Sequence, residues 1–110
     1  MQKEIAKTII DQINAAGPRF PRLTQLMGAK DFVALNGESV TDHGESIRGG
    51  LMFRATTKRG HKVIVELTFM DTYRVIVGKQ HGVKWTELHR HEDVYCDQLG
   101  VIVAEDLGIV

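Results

Sequence analysis

The chain has 110 residues, of which 43% are hydrophobic and 25% charged. That composition excludes wholesale disorder and leaves room for one core, so a single domain over residues 1–110 is expected. Fourteen basic residues balance fourteen acidic ones, which excludes both the cation surplus of a strong non-specific nucleic-acid binder and the anion surplus of a DNA mimic. Cys96 is the only cysteine, so an internal disulfide scaffold is excluded. No apolar run reaches the roughly 20 residues of a membrane span. Met1-Gln2-Lys3-Glu4 lacks the basic-then-apolar layout of a signal peptide, and the expected location is the cytoplasm, with no membrane partner.

In chain order, Ile5, Ile9 and Ile13 recur every four residues with Ile10 beside them, opposite Lys3, Lys7, Asp11 and Gln12. This spacing predicts an amphipathic helix, ended by Gly17 as a left-handed cap and by Pro18. Residues 18–21, Pro-Arg-Phe-Pro, read as a rigid connector. Leu23, Leu26 and Met27 predict a short helical turn ending at Gly28, followed by a small strand over residues 32–35 and a turn at Asn36-Gly37. The polar, glycine-containing stretch from Glu38 to Gly50 reads as a mobile loop.

From Leu51 the apolar period becomes two: Leu51, Phe53, Ala55; Val63, Val65, Leu67, Phe69; Tyr73, Val75, Val77; then Val83 and Trp85. The pattern predicts an antiparallel meander. A three-residue Lys58-Arg59-Gly60 loop would pair Ala55 with Val63, Phe53 with Val65 and Leu51 with Leu67, all on one face. A Met70-Asp71-Thr72 loop would pair Phe69 with Tyr73, Leu67 with Val75 and Val65 with Val77. A final helix is expected from an Asp93 N-cap, with Tyr95, Leu99, Ile102, Val103 and Leu107 as its stripe and Gly108 as its stop. Gly100 inside it costs about 1 kcal/mol relative to Ala, a cost consistent with close packing. The fold class is therefore α+β: an N-terminal helix, a short helical turn, an antiparallel meander of four to five strands, and a C-terminal helix. Both longer helices cover the face built around Phe53, Val65, Leu67, Val75 and Trp85.

The opposite face carries Met52, Ile64 and Ile76 among Arg54, Glu66 and Arg74. Aliphatics interleaved with arginines suit a protein-binding surface, and these six residues are the expected partner-binding site. An apolar second face also suggests a homodimer.

Motifs for chemistry are sparse, and no catalytic residue or cofactor is expected. His89, His91 and Cys96 are the nearest approach to a metal or thiol centre, but three local ligands at this spacing match no common zinc motif, and Cys96 reads more simply as a small buried residue. Asp42, His43 and Glu45 offer acid-base groups in a polar loop, and Asp71 sits in a turn. Gly44, Gly49 and Gly50 form no phosphate loop, since no Gly-Lys-Ser/Thr follows. Lys58, Arg59, His61 and Lys62 make a basic hairpin tip able to touch phosphates, with no aromatic platform evident beside it. Nucleic acid is thus the alternative partner, behind protein.

The segments Gly28-Ala29-Lys30-Asp31-Phe32 and Leu67-Thr68-Phe69-Met70-Asp71-Thr72-Tyr73, with His91, Tyr95 and Leu99, resemble a group of short phage and prophage proteins over about residues 26–107. Those share Gly-Ala-Lys-x-Phe, Leu-Thr-x-Met-Asp-Thr-Tyr and His-x-x-x-Tyr-x-x-x-Leu segments. The resemblance implies a mobile-element accessory protein; by analogy with small phage accessory proteins that carry no catalytic motif, the expectation is a non-enzymatic protein that binds a host protein or complex in the bacterial cytoplasm. Inhibition of a defence complex such as CRISPR-Cas, the anti-CRISPR role, is one activity of that kind, by analogy.

Overall fold

The amphipathic N-terminal stretch forms α1 (Gln2–Ala15), burying Ile9 and Ile13 completely. The computed structural model describes residues 2–17, 22–42 and 44–109; the expected connector at 18–21 and His43 lie outside them. Next come α2 (Leu23–Leu26) and five strands: β1 (Ala29–Leu35), β2 (Gly49–Ala55), β3 (His61–Leu67), β4 (Tyr73–His81) and β5 (Lys84–Val94). The last element is α3 (Leu99–Asp106). The strands lie in chain order as one antiparallel meander, and the fold is α+β. Both α1 and α3 pack on one face, over Leu51, Phe53, Val63, Val65, Val75 and Val77.

Both hairpins differ from the expected register by two residues. Ala55 faces His61 and Leu51 faces Val65, leaving a five-residue connection of residues 56–60. Thr56 and Thr57 leave the ladder because each bonds back to the end of α2. Their amides donate to the Gly28 and Met27 carbonyls at 3.1 and 3.2 Å, and their hydroxyls to the same oxygens at 2.8 Å. Gly60 does take the expected left-handed conformation, with φ 77°. In the next hairpin Leu67 faces Tyr73. The left-handed residue there is Asp71, with φ 60°, and Phe69 and Met70 project into solvent instead of joining the sheet. A two-residue slip preserves sidedness, so the inward set is as the alternation predicts.

Three further expectations change. Gly17 does not adopt the left-handed conformation; it permits close approach, since a Cβ there would lie 2.9 Å from that of Leu23. The last helix starts at Leu99, not at Asp93, because β5 runs on to Val94. Asp93 occupies a left-handed bulge (φ 53°) that turns Val94 inward opposite Tyr73, and Tyr95 is exposed. Finally, Trp85 lies on the face opposite the helices and Val83 lies in a turn. The β4–β5 register shifts by one residue between Val77 and Gly78, which puts His89 opposite Val77 on the helix side but Trp85 opposite Gln80 on the other.

That other face is covered as well. Of the stretch Glu38–Gly50, expected to be a mobile loop, Gly49 and Gly50 open β2, and residues 38–42 and 44–48 fold back as an arm: Ser39 N donates to Glu45 O, Ile47 N to Gly37 O, and Glu38 forms a β-bridge with Ser46. Ile47 is buried with Leu35, Ile64 and Ile76 in a second apolar cluster. Burying one such side chain contributes about 1.5–3 kcal/mol. The face that suggested a homodimer is thus largely covered by the chain itself.

Candidate functional site: the open end of the arm face

The register stacks the arm face into transverse rows. The outermost runs Lys30–Arg54–Lys62–Gly78 across β1 to β4. The middle row is Val33–Met52–Ile64–Ile76–Arg90. The innermost is Leu35–Gly50–Glu66–Arg74.

The arm closes the innermost row through charge. Glu66 is fully buried and accepts hydrogen bonds from Ser39 Oγ (2.9 Å), Val40 N (3.0 Å) and Arg74 Nη1 (3.2 Å). Arg74 spreads its remaining donors over Glu45 (2.6 Å), on the arm, and Glu92 (2.9 Å), on β5. Arg90 adds Asp42 (3.1 Å), on the arm, and Glu87 (2.9 Å). The bond to Glu45 leads the causes that hold Arg74 protonated beyond its ordinary range; for Arg90 the leading partner is Glu87. The Arg90 bond lowers the Asp42 carboxyl below its ordinary value of 3.8. Asp42 and Glu45 are therefore fasteners of the arm, and Asp71 pairs with Arg48 at its base.

Where the arm stops, a groove of about 670 Å³ remains. Val40 and Thr41 from the arm form one wall and Trp85 the other. Met52 and Ile64 form the floor, with Lys62, Gln80, Glu87 and Arg90 around the rim. Gly78 sets the position of Trp85: a Cβ on it would lie 2.5 Å from two indole ring atoms. The indole thus fills the place in the outer row that glycine leaves bare, next to Lys62. Beyond Lys62, Arg54 borders a second hollow of about 560 Å³ that includes Arg59, Lys79 and His81. Two hairpin tips meet there, and Gln80 N donates to Gly60 O at 2.9 Å.

No known family model, curated protein sequence or solved structure matches this chain. The assignment of a site therefore rests on its geometry.

The six residues expected to form a docking patch separate into two groups. Met52 is half-buried on the groove floor and Arg54 is exposed at the basic end. Ile64 contributes to the floor but is 2% exposed, while Glu66, Arg74 and Ile76 lie beneath the arm and present no open surface. The face is not wholly open because the stretch expected to be a free loop, Glu38–Gly50, supplies the arm that covers it.

His89 and His91 stand on the helix face, where His91 Nε2 lies 2.8 Å and His89 Nδ1 3.8 Å from Asp106, a carboxylate supplied by α3. Cys96 is exposed in the following segment and is not the buried residue expected. Among the described residues no three His, Cys, Asp or Glu side chains are grouped to hold a metal ion. Trp85, Val40 and Arg90 are the site residues that sequence reading missed. Gly78 inside a strand was the available signal, since such a glycine marks a close approach.

Proposed function

We propose that the protein is a non-enzymatic accessory protein of the phage and prophage type that acts by occupying a partner, and that its contact surface is the uncovered end of the arm face. The single observation supporting this reading is that the arm covers the ionic row yet leaves an apolar groove rimmed by Lys62, Gln80, Glu87 and Arg90 beside the basic end of the sheet. Few, well-placed polar groups around an apolar floor are what recognition sites have in common. The target in the cell is a host defence complex, CRISPR-Cas being the case the resemblance suggests, and the mode of action is steric.

Photo-crosslinking tests the surface. A photoreactive residue replacing Thr41, at the groove, should capture a component of the host complex, and the same group at exposed Val101 of α3 should not. Equal capture from both positions, or capture from Val101 alone, refutes the assignment of the surface. Failure of the wild-type protein to protect phage against any defence system of its host refutes the proposed role.

A further inference from the structure

Net neutrality hides a polarised charge distribution. Lys30, Arg54 and Lys62 stand side by side on three neighbouring strands of the outer row. Strand spacing is about 4.8 Å, so the three cations span about 10 Å. Lys62 donates to the Gln80 amide oxygen, and Arg54 makes one exposed contact with Asp31 at 3.2 Å. Lys58, Arg59, Lys79 and Lys84, on and beside the two hairpin tips, continue the basic surface around this end. Seven of the fourteen Lys and Arg residues therefore gather at one end of the sheet. An aromatic ring, Trp85, lies against Gly78 and lines the groove together with Lys62.

A row of cations beside an aromatic platform is what a single nucleic-acid strand requires: lysine and arginine neutralise successive phosphates while an unpaired base stacks on the ring. A duplex keeps its bases paired and offers none to the indole. A purely acidic peptide would use the cations and leave the groove's apolar floor unfilled. On the reading that this end is the contact surface, we infer that Lys30, Arg54, Lys62 and Trp85 form a binding site for single-stranded nucleic acid, with the backbone along the cation row and a base in the groove.

Trp85 is the only tryptophan, so intrinsic fluorescence reports on the site itself. Titration with oligo(dT) of about 20 nucleotides should quench Trp85 saturably. Three neutralised phosphates give a salt slope of about −2, so affinity should fall about twentyfold between about 50 and 200 mM salt. Lys62→Glu should weaken binding at least tenfold and flatten that slope; Trp85→Phe, which keeps a ring in place but removes the fluorophore, should retain binding when the anisotropy of end-labelled oligo(dT) is read instead. Circular dichroism confirms that the variants are folded. Absence of quenching at the lower salt, or quenching untouched by Lys62→Glu, overturns the inference. Equal affinity for a duplex of the same length also overturns it. Equal quenching by a poly-glutamate chain overturns the ligand class while leaving the contact surface standing, which separates this failure from that of the cross-linking test.

Discussion

Replacing Arg74 by methionine tests whether charge holds the arm. The side chain is 8% exposed and faces Glu66, which is 0% exposed. Without the guanidinium, Glu66 keeps Ser39 Oγ and the Val40 amide as donors but loses its counter-charge. Breaking a buried pair from one side costs about 3–5 kcal/mol. The retained donors place Arg74→Met at the lower end, about 3 kcal/mol. Contacts of Arg74 with Glu45, Glu92 and Asp42 add little, since those carboxylates are 40–48% exposed. Glu66→Met leaves Arg74 with those same three carboxylates and strands the Ser39 and Val40 donors, at about 2 kcal/mol. The double variant loses both charges together, so its cost should also be about 2 kcal/mol, well short of the additive total. Urea denaturation measures all three: with slopes of about 1–3 kcal/mol/M, Arg74→Met should lower the midpoint by about 1–3 M. A loss below about 1 kcal/mol for Arg74→Met, or strict additivity in the double variant, would mean that apolar contacts such as Ile47 hold the arm alone.

The remaining predictions concern other parts of the molecule. Gly100→Ala should destabilise by about 1–3 kcal/mol, although helix propensity alone predicts a gain of about 1 kcal/mol. The new Cβ would lie 2.4 Å from the Ile13 carbonyl oxygen and 2.5 Å from the Ala16 Cβ, so the sign of the measured change decides between propensity and packing. Burial pushes the Tyr73 phenol above 10.0, so the folded state holds its proton longer than the unfolded state does. Wild-type stability should be intact below about pH 10 and fall as pH rises through the folded value, relative to Tyr73→Phe; parallel denaturation curves for both proteins between pH 9 and 11 would contradict this. Asp42 has the opposite sign. Its depressed pKa stabilises the closed arm above the ordinary carboxylate value, and the contribution is lost as pH falls through the lowered one. An acid-dependent change in Trp85 fluorescence, absent in Asp42→Asn, checks it.

Sidedness was legible in the sequence and register was not. Alternation from Leu51 to Val77 assigns each side chain to a face, and a two-residue slip leaves that assignment intact. What displaced the first hairpin was a contact across 28 and 30 residues, from Thr56 and Thr57 to the carbonyls of Gly28 and Met27, which no local turn rule contains. Aspartate misled in a related way. Asp93 preceding an apolar run reads as an N-cap, yet aspartate also tolerates positive φ, and Asp31, Asp71 and Asp93 all use that second property. The bulges at Asp31 and Asp93, with the shift after Val77, rotate single residues to the other face. The shift after Val77 is what sets Trp85 on the face opposite the helices, against the simple alternation. The arm was missed because its only large buried apolar residue, Ile47, is isolated among polar neighbours, and its main tether is an ion pair formed with strands read as presenting an open face.

The charge distribution follows from the meander once the turns are read in order. Successive connections of an antiparallel meander lie at alternating ends of the sheet. The β1–β2 connection carries Glu38, Asp42 and Glu45, and the β3–β4 turn carries Asp71. The β2–β3 connection carries Lys58 and Arg59, and the β4–β5 turn is flanked by His81 and Lys84. Acidic and basic turns thus alternate along the chain, and folding sorts them into opposite poles. A composition with equal numbers of cations and anions excludes a strong uniform field, but it says nothing about a dipole of this kind. The same sorting explains why the arm closes where it does. It carries carboxylates and settles at the pole where Arg74 and Arg90 supply its partners, leaving the cations of the far pole facing solvent.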